Sequence, residues 1–234
     1  IGASRLGAQR WINLGPITLQ PSEIGKVIVV LTLSAFIAIH FRGKTLGFKS
    51  FMMCGAFVAP VLLLILKQPD LGTTLIITMT FFVILLIANL EWKIIVSMGV
   101  IAAISAPLSF FFLLKDYQKK RILTFLNPEA DPLKGGWNVT QSMIAIGSGG
   151  LNGKGFLNST QSKLRFLPEA HTDFIASVFL EERGFIGGIV LFLLYLILIL
   201  QILYMAARTE DTYGRLVCYG FGSICVFHFA INLG

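Results

Sequence analysis

Residues 185–206 read FIGGIVLFLLYLILILQILYMA, a run without a charged residue. A helix needs about 17–25 such residues to cross the hydrocarbon core of a bilayer. This run also leaves no polar face for water. Five more apolar runs cover 24–41, 48–66, 71–90, 94–114 and 215–234. The sequence therefore predicts six membrane-spanning helices in an all-α, polytopic bundle. Composition agrees: 55% of the 234 residues are hydrophobic and 13% charged, where a soluble domain carries about 25% charge. The competing reading is a soluble domain with an unusually apolar core, but runs of this length rarely repeat in one.

The segments between the runs set a topology. Residues 42–50 (RGKTLGFKS), 91–93 (EWK) and 207–215 (ARTEDTYGR) are short, and the first is strongly basic. The positive-inside rule puts them in the cytoplasm. Residues 1–23, 67–70 and 115–183 then lie outside, the last as a large extracytoplasmic loop. That loop carries nine Lys and Arg against seven Asp and Glu, and long loops cross regardless of charge. Its basicity suits a phosphate-bearing, lipid-anchored ligand; the plainer explanation is contact with anionic headgroups. The chain opens at Ile1 in a polar stretch and stops at Gly234 within an apolar run, as expected of a segment of a longer protein. Cys54, Cys218 and Cys225 fall in predicted spans and are expected as buried thiols, without a disulfide framework. His40, His171 and His228 show no metal-ligand spacing.

Ionisable groups near the ends of membrane helices are candidates for function. Glu23 and Lys26 lie three apart, on one face of the first predicted span. Lys26 is either a snorkelling anchor or a cation for a substrate phosphate, with Glu23 holding it. Arg10 is a second cation on that side, next to Trp11, a typical interfacial aromatic. Asp70, before Leu71-Gly72-Thr73-Thr74, reads first as an N-cap. Glu169-Ala170-His171-Thr172-Asp173 opens a helical pattern with Phe174, Ile175, Val178 and Phe179 on one face. Asp173 is either its cap or a base. Upstream, glycines 147, 149, 150, 153 and 155 either cradle a phosphate with backbone N–H groups or punctuate a flexible loop. No GxxxxGK[ST] or GxGxxG stands in a strand–helix context, so neither nucleotide nor nucleic acid is expected as a partner.

Four stretches carry a resemblance: GAQRWINLGPITLQPSEIGK (7–26), QPDLGTTL (68–75), DYQKKRILTFLNPEADPLKGGWNVTQSMIAIGSGGLNGKG (116–155) and TQSKLRFLPEAHTDFI (160–175). Together they resemble the SEDS family of shape, elongation, division and sporulation proteins. The IGSGGLNGKG and TQS stretches lean toward the rod-shape branch rather than the division branch. The resemblance implies a bacterial cytoplasmic-membrane glycosyltransferase with ten helices, of which this chain looks like the part before the fourth through most of the ninth. Its substrate would be lipid II, polymerised outside the membrane during cell elongation. Its partners would be a crosslinking class B penicillin-binding protein and the membrane proteins of the elongation complex. By the same resemblance Asp173 is the catalytic aspartate of HTDF. Arg10, Glu23, Lys26 and Asp70 match family motif positions, and Lys154, Gln161 and His171 join them as substrate contacts.

The residue chemistry fits that expectation. Glycan extension needs a sugar hydroxyl made nucleophilic, which a carboxylate can do. It also needs a pyrophosphate leaving group neutralised by cations or by a divalent metal. Two other classes compete: a lipid II flippase, which would want charge along a path through the bilayer, and a scaffold that only recruits partners. The middles of the six spans carry no Asp, Glu, Lys or Arg, which argues against the flippase. The scaffold leaves the Asp173 cluster unexplained.

Overall fold

The computed structural model describes residues 3–5, 8–13, 18–68, 70–112, 119, 135–159 and 174–233. Each apolar run carries a helix: α1 (Pro21–His40), α2 (Phe48–Lys67), α3 (Leu71–Ile87), α4 (Trp92–Phe112), then, after α5 (Gly135–Ser148), α6 (Ile175–Arg208) and α7 (Thr212–Leu233). Pro21–His40, Phe48–Lys67, Ile175–Arg208 and Thr212–Ile231 are long and apolar enough to cross a membrane; α3 and the Trp92–Ser105 stretch of α4 are apolar but shorter.

Three features depart from the sequence reading. The expected loop before α1 carries a small antiparallel sheet, β1 (Ala3–Arg5), β2 (Ala8–Asn13) and β3 (Thr18–Leu19), in that spatial order. The expected loop 115–183 contains α5, which starts on two glycines, the weakest of helix formers after proline. And the helical pattern expected after Asp173, which the structure bears out from Ile175, runs directly into the predicted span at 185, the two halves meeting at a non-helical Gly184 (φ 65°, ψ −168°).

The described residues form two compact units, one of residues 1–98 with 198–232, the other of residues 99–197. In the first unit, local chemistry decides where helices start. Pro21 sits in the first turn of α1, where a missing N–H costs nothing. Asp70 caps α3, accepting from the Thr73 backbone N–H (3.2 Å) and hydroxyl (2.9 Å). Helix α3 ends on Asn89, left-handed at φ 63°, with Leu90 N–H returning to Leu85 O (3.0 Å) and Asn89 N–H to Leu86 O (3.2 Å). That six-to-one and five-to-two pattern is the Schellman end, for which Asn is the usual substitute for glycine.

Two ties set the helices of this unit in register. Gln20 Nε2 donates to Asp70 Oδ2 (3.2 Å), so α1 and α3 begin side by side. At their other ends Leu46 N–H bonds Asn89 O (2.9 Å) and Glu91 N–H bonds Leu46 O (3.1 Å). The α1–α2 loop and the α3–α4 turn, both assigned above to one side of the membrane, therefore lie together. Val30, Leu33 and Ile37 of α1, Phe51, Cys54 and Val58 of α2, and Ile77, Phe81 and Ile84 of α3 form the shared core, spaced three and four apart as one face of a helix requires. Helix α7 joins through Gly220, where a Cβ would lie 2.5 Å from Val30 Cγ1 and 3.2 Å from Ile84 Cδ1. Without a hydrophobic drive between helices in lipid, small residues at the crossing let dispersion do the holding.

Candidate functional site

Among the described residues, each unit holds a cluster of charged side chains. In the first unit, Lys26 lies five residues after the first residue of α1, and His228 five before the last of α7. At 1.5 Å per residue both sit about 7.5 Å from their helix ends, and they meet: the Lys26 ammonium bonds His228 Nε2. Lys26 Nζ also lies 2.7 Å from Glu23 Oε2. The lysine side chain is 3% exposed and the glutamate 51%. A snorkelling lysine keeps its head in water; here the lysine is buried and the carboxylate lies at the rim. For an ammonium to donate to Nε2, the imidazole must be neutral with its proton on Nδ1.

The second cluster explains the glycine-rich stretch. Glu181, fully buried, accepts from Lys154 Nζ (2.7 Å), Ser159 Oγ (2.5 Å) and, weakly, Ser148 Oγ (3.5 Å). The loop around Lys154 lies against the break in α6. Lys154 N–H bonds Glu181 O (3.0 Å) and Gly155 N–H bonds Glu182 O (3.0 Å), while Phe185 N–H bonds Gly150 O (2.9 Å) and Ile186 N–H bonds Leu151 O (3.1 Å). A broken helix leaves carbonyls orphaned at one end and N–H groups at the other. The loop satisfies two of each.

The backbones approach too closely for side chains. A Cβ on Gly149 would stand 2.3 Å from Leu180 O, one on Gly153 2.2 Å from Glu182 O, and one on Gly184 2.3 Å from Gly153 N. Gly153 (φ +77°) and Gly184 (φ +65°) are also left-handed, where a Cβ is strained. Of the two readings of these glycines, neither a phosphate cradle nor flexible punctuation fits 149–155: the N–H groups of Gly153, Lys154 and Gly155 are spent on Gly149 O, Glu181 O and Glu182 O. Beside this cluster α5 packs on α6 through Ala145 against Phe174 and Val178 and through a 2.6 Å Ser142–Ser177 hydrogen bond. Ile175, placed on that face by the sequence, is 58% exposed.

The expected site residues fall out as follows. Glu23 and Lys26 are together; Asp70 is the cap of α3 and is held by Gln20; Lys154 is paired with Glu181. The backbone of Arg10 lies in β2, and its side chain, like Gln161, His171 and Asp173, lies outside the described residues. Two residues were missed. Glu181 stands in a charged triplet, Glu181-Glu182-Arg183, wedged between Leu180 and Gly184, and that triplet was the signal. His228 is a lone imidazole inside a predicted span, a position that marks function by default. Among the described residues no three His, Cys, Asp or Glu side chains gather as a metal would require.

The model of the FtsW/RodA/SpoVE family, described as cell cycle proteins, matches residues 1–234. The peptidoglycan glycosyltransferase MrdB of Escherichia coli K12 is 42% identical over 233 residues, covering 100% of this chain and 62% of that protein. The chain thus spans less than two thirds of the length of this curated relative. A structure of a peptidoglycan synthase complex, described as coordinating polymerization and crosslinking, contains a chain that matches at TM-score 0.80 and 29% identity, over 100% of this chain and 64% of that one. The crystal structure of the rod shape determining protein RodA of Thermus thermophilus matches at TM-score 0.63 and 26% identity, over 100% and 59%.

Proposed function

Since the chain belongs to the FtsW/RodA/SpoVE family of cell cycle proteins and is a multi-pass protein of the bacterial inner membrane, we propose that it polymerises lipid II into glycan strands during cell elongation. Carrying this reading is its likeness, along the whole chain, to a peptidoglycan glycosyltransferase. In the reaction the acceptor sugar hydroxyl attacks the anomeric carbon of the donor. A new glycosidic bond forms, and the bond from that carbon to undecaprenyl pyrophosphate breaks. Asp173 takes the hydroxyl proton. Lys26 and Arg10 neutralise the charge growing on the pyrophosphate, where preorganised cations contribute most. A buried lysine beside a half-exposed carboxylate fits the first of these cations. Lys154, held on the buried Glu181, belongs instead to the frame that caps the α6 break. Likeness to a chain of a synthase complex supports a crosslinking transpeptidase of the class B penicillin-binding type as partner.

The test is polymerisation of labelled lipid II by purified full-length protein with its transpeptidase, wild type beside Asp173→Asn. Asn keeps the shape and caps a helix about as well as Asp, but it cannot take the proton. Loss of about 10²–10⁴-fold in rate, with thermal stability and partner binding retained, is the expected outcome. Near-wild-type polymerisation by Asp173→Asn would remove the base. Lipid II translocated with no polymer formed by wild type would turn the reading to a flippase.

A further inference from the structure

The role proposed for Lys26 leaves His228 unexplained, and the inference that follows rests on that role. A lysine ammonium has three N–H donors on a flexible stem. Alone with Glu23, it would swing onto the carboxylate as a closed, neutral pair. In the structure it is shared between Glu23 Oε2 and His228 Nε2. Among the described residues these two use two of its three donors, and tetrahedral geometry then fixes the direction of the third.

The two acceptors differ in charge. Glu23 is 51% exposed, so water screens it. The imidazole accepts as a neutral group and adds no negative charge on the buried side. A second carboxylate there would hold the ammonium as firmly, but it would repel a phosphate.

We propose that His228 is a positioning residue: from α7 it fixes the Lys26 ammonium as an uncompensated donor for an anionic oxygen of the lipid-linked substrate. The geometry requires the α1–α7 contact, so part of the substrate cation's placement is written in the seventh helix.

The test uses the full-length protein with its transpeptidase and reads KM and kcat for lipid II. Four variants are compared: His228→Leu (no acceptor), His228→Gln (a neutral acceptor at the Nε2 position), His228→Glu (a charged acceptor) and Lys26→Ala. Loss of a hydrogen bond to a charged group should raise KM about tenfold in His228→Leu, with kcat changing less. His228→Gln should recover most of that loss. His228→Glu should be at least as impaired as His228→Leu, although it restores an acceptor. In a Lys26→Ala background His228→Leu should add almost nothing, because the two act through one contact.

A residue that merely packs would not separate Gln from Glu in this order. If His228→Leu does not fold, the Gln and Glu variants decide between themselves. His228→Glu at or below the KM of His228→Gln overturns the proposal. So does an undisturbed KM in His228→Leu while Lys26→Ala is impaired, and that result leaves the role of Lys26 standing. A wild-type KM in Lys26→Ala would take down the role of Lys26 and this inference with it.

Discussion

The two lysine–glutamate pairs have the same 2.7 Å separation and are built in opposite senses. In the first unit the lysine is 3% exposed and its glutamate 51%. In the second the glutamate is 0% exposed and its lysine 30%. A buried charge is costly unless paired and hydrogen-bonded, so the buried member of each pair tells what the pair is for. Glu181 collects a lysine and two hydroxyls around itself, and the backbone at the same residue accepts from the loop. Its pair is an internal fastening. Lys26 is shared between one screened carboxylate and one neutral ring, which leaves its positive charge incompletely answered. On the role proposed for Lys26, its pair is the one open to an anion.

The contrast breaks most easily at the buried carboxylate. Glu181→Leu removes the buried acceptor of Lys154 and Ser159, and losing one member of a buried pair costs about 3–5 kcal/mol. Glu23→Leu leaves the buried Lys26 ammonium with the neutral His228, and should cost less, about 1–3 kcal/mol, because that hydrogen bond remains. Thermal unfolding in detergent measures both. Equal drops in Tm would mean that the two pairs are alike after all.

The fastening can be probed next through its backbone. Gly153→Ala puts a Cβ against Glu182 O at a left-handed residue, for about 2–4 kcal/mol from overpacking and strain together. Gly150 is also left-handed, at φ +56°, but has nothing within 4 Å. Gly150→Ala should therefore carry only the backbone part, about 1–2 kcal/mol. If the two substitutions unfold at the same temperature, close packing is not what the glycines are for.

How far the sequence could be read follows from the range of the forces involved. The spans are legible because an apolar run is a local signal. The cap at Asp70 is legible for the same reason: Asp followed by Leu-Gly-Thr-Thr states its own hydrogen bonds, and Thr73 supplies them. The shared face of Glu23 and Lys26 follows from a spacing of three. Which of the two is buried does not, because it depends on α7 arriving with His228 more than two hundred positions later. The glycine-rich loop was legible as an unusual stretch but not as the cap of a broken helix. That role exists only in backbone hydrogen bonds between residues some thirty positions apart. Asp173, Gln161 and His171 rest on the sequence and the family resemblance, since they lie outside the described residues.

A smaller effect sharpens the contrast at a third carboxylate. Asp70, 8% exposed, spends its oxygens on Thr73 and Gln20. As a cap it should tolerate Asp70→Asn with little change, and Asp70→Ala should cost about 1 kcal/mol. A strong loss of lipid II turnover in Asp70→Asn, with Tm preserved, would move Asp70 from the frame to the substrate.

The most direct measurement compares the two lysines in one experiment. Lys26→Met and Lys154→Met are prepared in the full-length protein, and each is assayed for its KM for lipid II and its Tm. A crossed result is expected. Lys26→Met should weaken substrate binding by about 1–3 kcal/mol, as for a charge-assisted contact, with Tm nearly kept. Lys154→Met should lower Tm by uncovering the buried Glu181 carboxylate and leave the KM of the folded protein near wild type. A raised KM in Lys154→Met at full stability, with Lys26→Met binding lipid II normally, would contradict it.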